Sequence, residues 1–319
     1  MSPAAAPLVT IGIPNYNYGR FLRQCVESAL GQTHQRVEVL VADNASSDDS
    51  IEVLQELRDP RLRWWRNPEN LGVYPNWDSL VRAAQGDYFK ILQSDDWLEP
   101  GFVTTCLEAI DATGSDCAFS GFRVVGDQSL QLVPSDSGLA GRFVAPSRRE
   151  LAERLWDLTA FIQPTAGLFR STLVPEGFGG SARNMSRDMV YWSKALTRGR
   201  PVFINQLLAV QRSHGAQDRK RRDTSMALGD ILDGAEILKD LDPAALSQIE
   251  PLSRFYAATF ARSAAANLLR GRPLIAGNML RQLLRHRRAG SGLRDWLLRP
   301  RPWRPLTREE FSPLEKSDG

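Results

Sequence analysis

The sequence contains little that would place it in a membrane or in an oxidising compartment. No apolar stretch approaches the ~18 residues that indicate a membrane span. Residues 1–7 lack the basic region and the long apolar core of a secretory signal. Only three cysteines occur, Cys25, Cys106 and Cys117, and their spacing does not match a metal site. We therefore expect buried thiols in a reducing compartment, and a cytoplasmic protein.

Acidic residues are almost missing from one part of the chain, although the net charge of the whole chain is only +3. Between Leu252 and Pro305 there are twelve arginines and a single acid, Asp295. Such a stretch favours an anionic partner. Two interpretations are open: a helical appendage with a solvated basic face, or a peripheral contact with an anionic membrane surface. Nucleic acid is not expected, because no aromatic residues are interleaved with the basic ones in a stacking motif.

Short apolar runs that favour β-strands alternate with stretches of helical periodicity. Strands are predicted for residues 8–13, 37–42, 62–65, 88–92, 117–125 and 202–210. Helices are predicted for residues 21–30, 51–57, 76–84, 100–113, 149–158 and 187–192. This alternation predicts an α/β fold with a mostly parallel sheet. A chain of 319 residues has room for one large domain and an accessory part.

Polar or turn-forming residues follow each of the first four predicted strands. They are Pro14-Asn15-Tyr16-Asn17, Asp43-Asn44, Asn70-Leu71-Gly72 and Ser94-Asp95-Asp96. Because the carboxyl ends of parallel strands share one edge of a sheet, all four groups should converge on one cleft, the place where open α/β sheets bind ligands.

Asp95 and Asp96 are the most informative of these residues. Adjacent carboxylates repel each other, and a divalent cation relieves the repulsion while it bridges to the phosphates of a substrate. A strand-ending turn also accommodates aspartate, so the pair taken alone leaves both interpretations open. The convergence of the four groups favours the metal site.

The order of these motifs resembles that of glycosyltransferase family 2, a group of inverting enzymes with the GT-A fold. The matching segments are residues 13–17, 32–33, 41–48, 70–72, 86–88 and 93–97. The resemblance implies a GT-A domain over residues 1–220, Rossmann-like, with a mostly parallel sheet flanked by helices. A C-terminal helical appendage is then expected over residues 221–300 and a disordered tail over residues 301–319.

The resemblance also implies a nucleoside-diphosphate sugar donor, a divalent metal (Mn²⁺ or Mg²⁺) and a single displacement at the anomeric carbon. The residues that it implies for the donor are Pro14, Tyr16, Asp43, Asn44, Asn70, Ser94, Asp95 and Arg212. Those that it implies for the metal are Asp95, Asp96 and His214. The acceptor is expected to be a saccharide or a lipid-linked saccharide, as in polysaccharide or glycoconjugate assembly. This acceptor would suit a location at the inner face of the membrane.

The attacking hydroxyl needs a carboxylate as general base. Asp188 takes the position of the family's base, because it opens a predicted helix after the Gly-rich loop 177–180, and Arg187 beside it favours its ionised form. Structural roles remain open for several residues. Tyr16 also fits a core aromatic, Asp43 a loop residue, Asp188 a helix cap and His214 a structural histidine.

Two departures from the family pattern affect these expectations. Gln93 stands where the first acid of the metal motif is usual, so the metal should bind weakly until the phosphates of the nucleotide share it. Asn44 stands where many relatives have an acid, which leaves uracil, thymine and guanine open as the base. A nucleotidyltransferase would need a Gly-rich basic loop where residues 14–17 lie. A non-catalytic protein that binds sugar nucleotides on the same fold remains the alternative.

Overall fold

The computed structural model describes residues 6–126, 130–132, 143–145, 164–173, 175–179 and 187–214, together with residues 268, 269 and 273. The predicted helix over residues 149–158 lies outside the described residues. So do the predicted tail and nearly all of the Arg-rich appendage, so that the boundary at residue 220 stays a prediction. None of the helices that the structure describes is long and apolar enough to cross a bilayer.

The described residues form ten strands, five α-helices and a 3₁₀ turn. The strands are β1 (Val9–Asn15), β2 (Val37–Asp43), β3 (Leu62–Arg66), β4 (Tyr88–Ile91), β5 (Trp97–Leu98), β6 (Cys117–Gly126), β7 (Leu130–Leu132), β8 (Phe143–Val144), β9 (Gly167–Arg170) and β10 (Pro201–Ser213). The helices are α1 (Gly19–Leu30), α2 (Ser50–Glu56), α3 (Val73–Ala83), α4 (Phe102–Thr113) and α5 (Arg187–Arg198). The 3₁₀ turn covers Pro164–Ala166.

All ten strands belong to one mixed sheet, in the order β3-β2-β1-β4-β9-β6-β10-β5, with β7 beside β6 and β8 beside β10. The first four strands are parallel, and β6 is parallel to β10. Strand β9 is antiparallel to both of its neighbours, β4 and β6. In the parallel part, Asn15 pairs with Asp43 and Asp43 pairs with Arg66, so the carboxyl ends of three strands lie side by side. The predicted mostly parallel sheet is confirmed.

Helices cover both faces of the sheet. One hydrophobic cluster contains residues of α1, α2 and α4, and the other contains aromatic residues of α3 and α5. Val39 and Val41 belong to the first cluster and Leu40 to the second, as the alternation of side chains along a strand requires. Every residue of β2 is buried, which is typical of parallel strands between helices. All three cysteines are buried and free, as predicted.

Helix α3 begins at Val73, three residues before the predicted start at residue 76. Pro75 therefore lies in its first turn, where a missing N–H costs nothing because the first turn has no helical acceptor. Later in the chain, the predicted strand 202–210 is longer than expected. It forms β10 over Pro201–Ser213, with two register shifts between Ile204 and Ala209.

A lysine lies fully buried in the sheet. Lys90 of β4 donates from Nζ to the main-chain oxygen of Thr165 at 2.6 Å, and its ammonium group lies 4.1 Å from the ring centroid of Phe102. Burial lowers the pKa of Lys90 to about 7. The apolar run of residues 88–92 predicted the strand, but it did not indicate that the charge inside the run would be enclosed.

We expect the free energy of unfolding of the protein to rise with pH, relative to that of Lys90→Met, between about pH 7 and pH 10. The unfolded lysine keeps its proton up to a pKa of about 10.4, whereas the folded one loses it near 7. The unfolded state therefore binds more protons in this window, and the slope is at most about 1.4 kcal/mol per pH unit. Urea unfolding of both proteins at several pH values measures it. A difference that does not change with pH would contradict a titrating Lys90 in the core.

Candidate functional site

The loops after β1 and β2 are joined by hydrogen bonds between buried side chains. Asn15 Nδ2 donates to Asp43 Oδ2 at 2.9 Å, and the main-chain N–H of Ser46 donates to Asp43 Oδ1 at 2.9 Å. Among the described residues, only Asn17 (φ 58°) and Ala45 (φ 62°) are non-glycine residues with positive φ. Both lie in these two loops, so the backbone there is held in a conformation that L-residues seldom adopt.

Asn15 was missed as a site residue, although it lies inside a motif that the sequence singled out. Its side chain is buried, and its Oδ1 atom accepts no hydrogen bond within the part of the chain that the structure describes. The Asp43 side chain beside it is fully enclosed as well, and a buried acceptor without a donor calls for an explanation.

Asn44 uses its whole amide group within the protein. Its Nδ2 donates to Asn70 Oδ1 at 2.9 Å and to the Gly72 oxygen at 3.2 Å. Its Oδ1 accepts from Asn67 Nδ2 at 3.1 Å and from the Leu71 N–H at 3.0 Å. An amide has two donor hydrogens and two acceptor lone pairs, so in this structure none is left for a nucleobase. Asn44 thereby holds the loop of residues 70–72 against the end of β2, and its contact with the base or ribose of a donor stays a prediction.

Tyr16 is 43% exposed, so the alternative of a core aromatic is wrong for it. Pro14 before it is partly buried, and Ser94 is buried at the end of β4. Asn70 is exposed, and its Oδ1 accepts from the Gly72 N–H at 2.9 Å as well as from Asn44. These residues lie in the predicted loops, and their contacts with a donor stay predictions.

Asp95 and His214 meet at the same edge of the sheet. Asp95 Oδ2 lies 3.1 Å from His214 Nε2, and both side chains are largely buried. The His214 ring lies edge-on to Tyr18, with ring centroids 5.5 Å apart, and packs against Phe21 at 4.9 Å. A carboxylate oxygen and an imidazole nitrogen at this separation fit two ligands of one divalent cation.

Asp96 has different partners from its neighbour. Its Oδ1 accepts from the Arg212 main-chain N–H at 2.9 Å, and its Oδ2 accepts from the Thr165 hydroxyl. These bonds make Asp96 a connection between β10 and the 3₁₀ turn, and its predicted role as a metal ligand is not favoured by them. Among the described residues, no group of three or more His, Cys, Asp or Glu side chains is placed to hold a metal ion. The roles of Asp95, Asp96 and His214 as metal ligands stay predictions.

Arg212 is fixed beside this pair. Its guanidinium carbon lies 4.5 Å from the ring centroid of Phe21 and 4.8 Å from that of Trp97. Its Nε donates to the Asp95 main-chain oxygen at 3.1 Å, and its Nη2 donates to Gln24 Oε1 at 2.7 Å. Such contacts hold a permanent positive charge close to Asp95.

Asp188 lies in the first turn of α5, as predicted, and a tyrosine of α3 contacts it. The Tyr74 hydroxyl donates to Asp188 Oδ1 at 3.2 Å. The Tyr74 ring is buried between Trp77 and Phe178, which fixes the position of its hydroxyl. Nothing in the sequence indicated Tyr74, because the two residues are 114 positions apart.

The described part of the Gly-rich loop rests on α3. One carboxylate oxygen of Asp78 accepts from the Phe178 N–H at 2.7 Å, and the other accepts from the Gly179 N–H at 3.2 Å. Burial raises the pKa of Asp78, although these N–H groups oppose the shift. Gly177 has φ 75°, and a Cβ atom there would lie 2.4 Å from Asp78 Oδ1. The close approach to α3 therefore requires glycine at this position.

We expect Asn44→Asp to lower the free energy of unfolding by about 1–3 kcal/mol, because it removes the donor of two hydrogen bonds and places a buried carboxylate against their acceptors. The new carboxylate would face Asn70 Oδ1 and the Gly72 oxygen, both acceptors. Urea unfolding measures the change. Glu52→Gln, an exposed substitution in α2, is the control and should change stability by less than about 0.5 kcal/mol. Equal stability of Asn44→Asp and the natural protein would contradict the hydrogen bonds of the Asn44 amide.

Comparison with known proteins agrees with this architecture. Chondroitin synthase of Escherichia coli is 42% identical over 104 residues, which are 32% of this chain and only 15% of that protein. The structure of Staphylococcus aureus TarS 1-349 in complex with UDP-GlcNAc matches with a TM-score of 0.59 at 14% identity, covering 91% of each chain. The mannosyltransferase PcManGT from Pyrobaculum calidifontis, in complex with GDP-Man and Mn²⁺, matches with a TM-score of 0.52 at 14% identity, covering 93% of this chain and 89% of that one.

These structural likenesses confirm the predicted GT-A fold. The sequence profile described as Glycosyl transferase family 2 matches residues 10–176, which is more than half of the chain. The chain belongs to glycosyl transferase family 2.

Proposed function

We propose that the protein is an inverting glycosyltransferase that moves a sugar from a nucleoside diphosphate to an acceptor hydroxyl. The observation that carries the proposal is the pair of Asp95 and His214, 3.1 Å apart beside Arg212 at the carboxyl edge of the sheet. Membership of the family supports it. The UDP-GlcNAc bound to TarS and the GDP-Man bound to PcManGT support a sugar nucleotide as donor.

The nucleoside would bind over the loops after β1 and β2. Exposed Tyr16, with Pro14 before it, offers a surface for the base or ribose. Asp43 and Asn15 bring two acceptor groups to the same place. Two acceptors suit a base that presents N–H groups, as uracil, thymine and guanine do. Asn70 and Ser94 complete the donor pocket in this proposal, and Asn44 supports it by holding the 70–72 loop.

Asp95 and His214 would hold a divalent ion, Mn²⁺ or Mg²⁺. Two protein ligands are sufficient where the diphosphate supplies further oxygen atoms. When bound, the ion supplies electrostatic stabilisation of the leaving diphosphate. Arg212 adds a fixed positive charge at the same edge. Asp96 has an indirect role in this proposal: it accepts a hydrogen bond from the main-chain N–H of Arg212 and so positions that residue.

Asp188 is the general base of the proposed reaction. Its carboxylate accepts the proton of the acceptor hydroxyl as the acceptor oxygen forms a bond to the anomeric carbon. The bond from that carbon to the phosphate oxygen breaks in the same step, and the nucleoside diphosphate leaves with the electron pair. The hydrogen bond from Tyr74 favours the ionised carboxylate that this step requires.

A saccharide or a lipid-linked saccharide is the acceptor in this proposal. Polysaccharide assembly is consistent with the 42% identity to a chondroitin synthase, although the matched residues are a small part of that protein. The Arg-rich stretch between Leu252 and Pro305 would then contact an anionic membrane surface from the cytoplasmic side. The alternative, a non-catalytic sugar-nucleotide-binding protein, differs in having no role for Asp188.

We expect Asp188→Asn to lower the rate of sugar transfer by about 10²-fold or more while donor affinity stays unchanged, because the amide cannot accept the proton. Release of nucleoside diphosphate from UDP-, dTDP- and GDP-sugars with a panel of saccharide acceptors measures transfer, and calorimetry measures donor binding.

Asp111→Asn, on the exposed side of α4, is the matched control and should retain full activity. Normal turnover by Asp188→Asn would show that Asp188 is not the base. Donor binding without transfer by the natural protein, for every acceptor, would favour the non-catalytic alternative.

A further inference from the structure

Lys90 occupies a place where an uncharged side chain would be easier to bury. Its ammonium group lies in the core, with the Thr165 main-chain oxygen as acceptor and the Phe102 ring beside it. Removing a lysine from water carries a large desolvation cost, and methionine would fill a similar volume without it. A lysine at this position therefore suggests that its ammonium group has a function that methionine would not supply.

The hydrogen bond of Lys90 reaches the acidic pair through one residue. Thr165 accepts from Lys90 with its main-chain oxygen and donates to Asp96 Oδ2 with its hydroxyl. Both residues are buried, and Thr165 lies in the 3₁₀ turn that leads into β9. Lys90 thus fixes the backbone of Thr165, and the hydroxyl of Thr165 in turn fixes the carboxylate of Asp96.

From Asp96 the contacts continue to the proposed metal ligands. The other Asp96 oxygen holds the Arg212 N–H, and Arg212 Nε donates to the Asp95 main-chain oxygen. His214, two residues after Arg212, lies against Asp95 Oδ2. A displacement of Asp96 would therefore be transmitted to both Asp95 and His214.

Electrostatics favour the same connection. Adjacent Asp95 and Asp96 repel each other, and the protein has neutral Gln93 and buried Lys90 in the strand and turn that precede them. The negative charge of Asp96 favours the protonated form of Lys90 and opposes the effect of burial on its pKa.

We propose that Lys90 and Thr165 are positioning residues, which hold Asp96 so that Asp95 and His214 face the metal and diphosphate of the donor. The proposal rests on the function proposed above. It predicts that loss of either residue weakens nucleotide binding without contact between that residue and the nucleotide.

The test uses calorimetric titration of the full chain with UDP, dTDP and GDP in the presence of Mn²⁺. Lys90→Met and Thr165→Val should each weaken the binding of the favoured nucleotide by about tenfold or more. Thr165→Ser keeps the hydroxyl and should bind within about twofold of the natural protein. Because both residues act through Asp96, the double variant should lose about tenfold, whereas independent effects would multiply to about a hundredfold.

Cys117→Ala, a buried substitution in β6 that removes no member of the chain of contacts, is the control for general loosening of the core. It should leave nucleotide affinity unchanged. If Lys90→Met does not fold, the pair Thr165→Val and Thr165→Ser carries the test.

Two outcomes separate this proposal from the proposed function. If the natural protein binds none of the three nucleotides, the proposed function is wrong, and so is the positioning role of Lys90 and Thr165. If the natural protein binds one of them and Thr165→Val binds it equally well, only the positioning role is overturned. Effects of Lys90→Met and Thr165→Val that multiply in full would also overturn it.

Discussion

The arrangement of the site depends on the two hydrogen bonds that the buried Asp96 carboxylate accepts. Its donors, the Thr165 hydroxyl and the Arg212 N–H, are 69 and 116 residues away along the chain. Hydrogen bonds to a carboxylate are stronger than those between neutral groups, and here they join the end of β4 to β10 and to the turn before β9. This connection sets the positions of Arg212 and His214, because both lie on the segment of chain that is hydrogen-bonded to Asp96.

The same division of roles occurs where we propose that the nucleoside binds, at the ends of β1 and β2. The side-chain amide of Asn44 is hydrogen-bonded to the loop of residues 70–72. Asp43 and Asn15, by contrast, bring acceptor groups together between the ends of β1 and β2. In both adjacent pairs, the second residue supports the structure and the first is the better candidate for contact with a ligand. Groups held in this way are oriented before a ligand arrives, which lowers the entropic cost of binding.

The sequence predicted the parallel half of the sheet because its buried strands are apolar runs with polar loops at their carboxyl ends. It did not predict the antiparallel β9, since the pairing of four residues, Gly167–Arg170, is decided by strands far away in sequence. For similar reasons it did not reveal how Lys90, Tyr74 and Asn44 act. Each depends on a partner that becomes a neighbour only in the folded chain: Thr165, Asp188 and Asn70. A motif shows which residue types are available, whereas long-range hydrogen bonds decide which of them remain available to a ligand.

We propose that Asp95 and His214 form an incomplete metal site, which the phosphates of the nucleotide complete. Titration of Mn²⁺ followed by electron paramagnetic resonance, with and without the nucleoside diphosphate that the protein binds, tests it most directly. We expect weak Mn²⁺ binding by the protein alone, at least about tenfold tighter binding with the nucleotide, and the reciprocal effect of Mn²⁺ on nucleotide affinity. We also expect that Asp95→Asn removes this coupling. Mn²⁺ affinity that is independent of the nucleotide, or coupling that persists in Asp95→Asn, would show that Asp95 and the nucleotide do not share a metal ion.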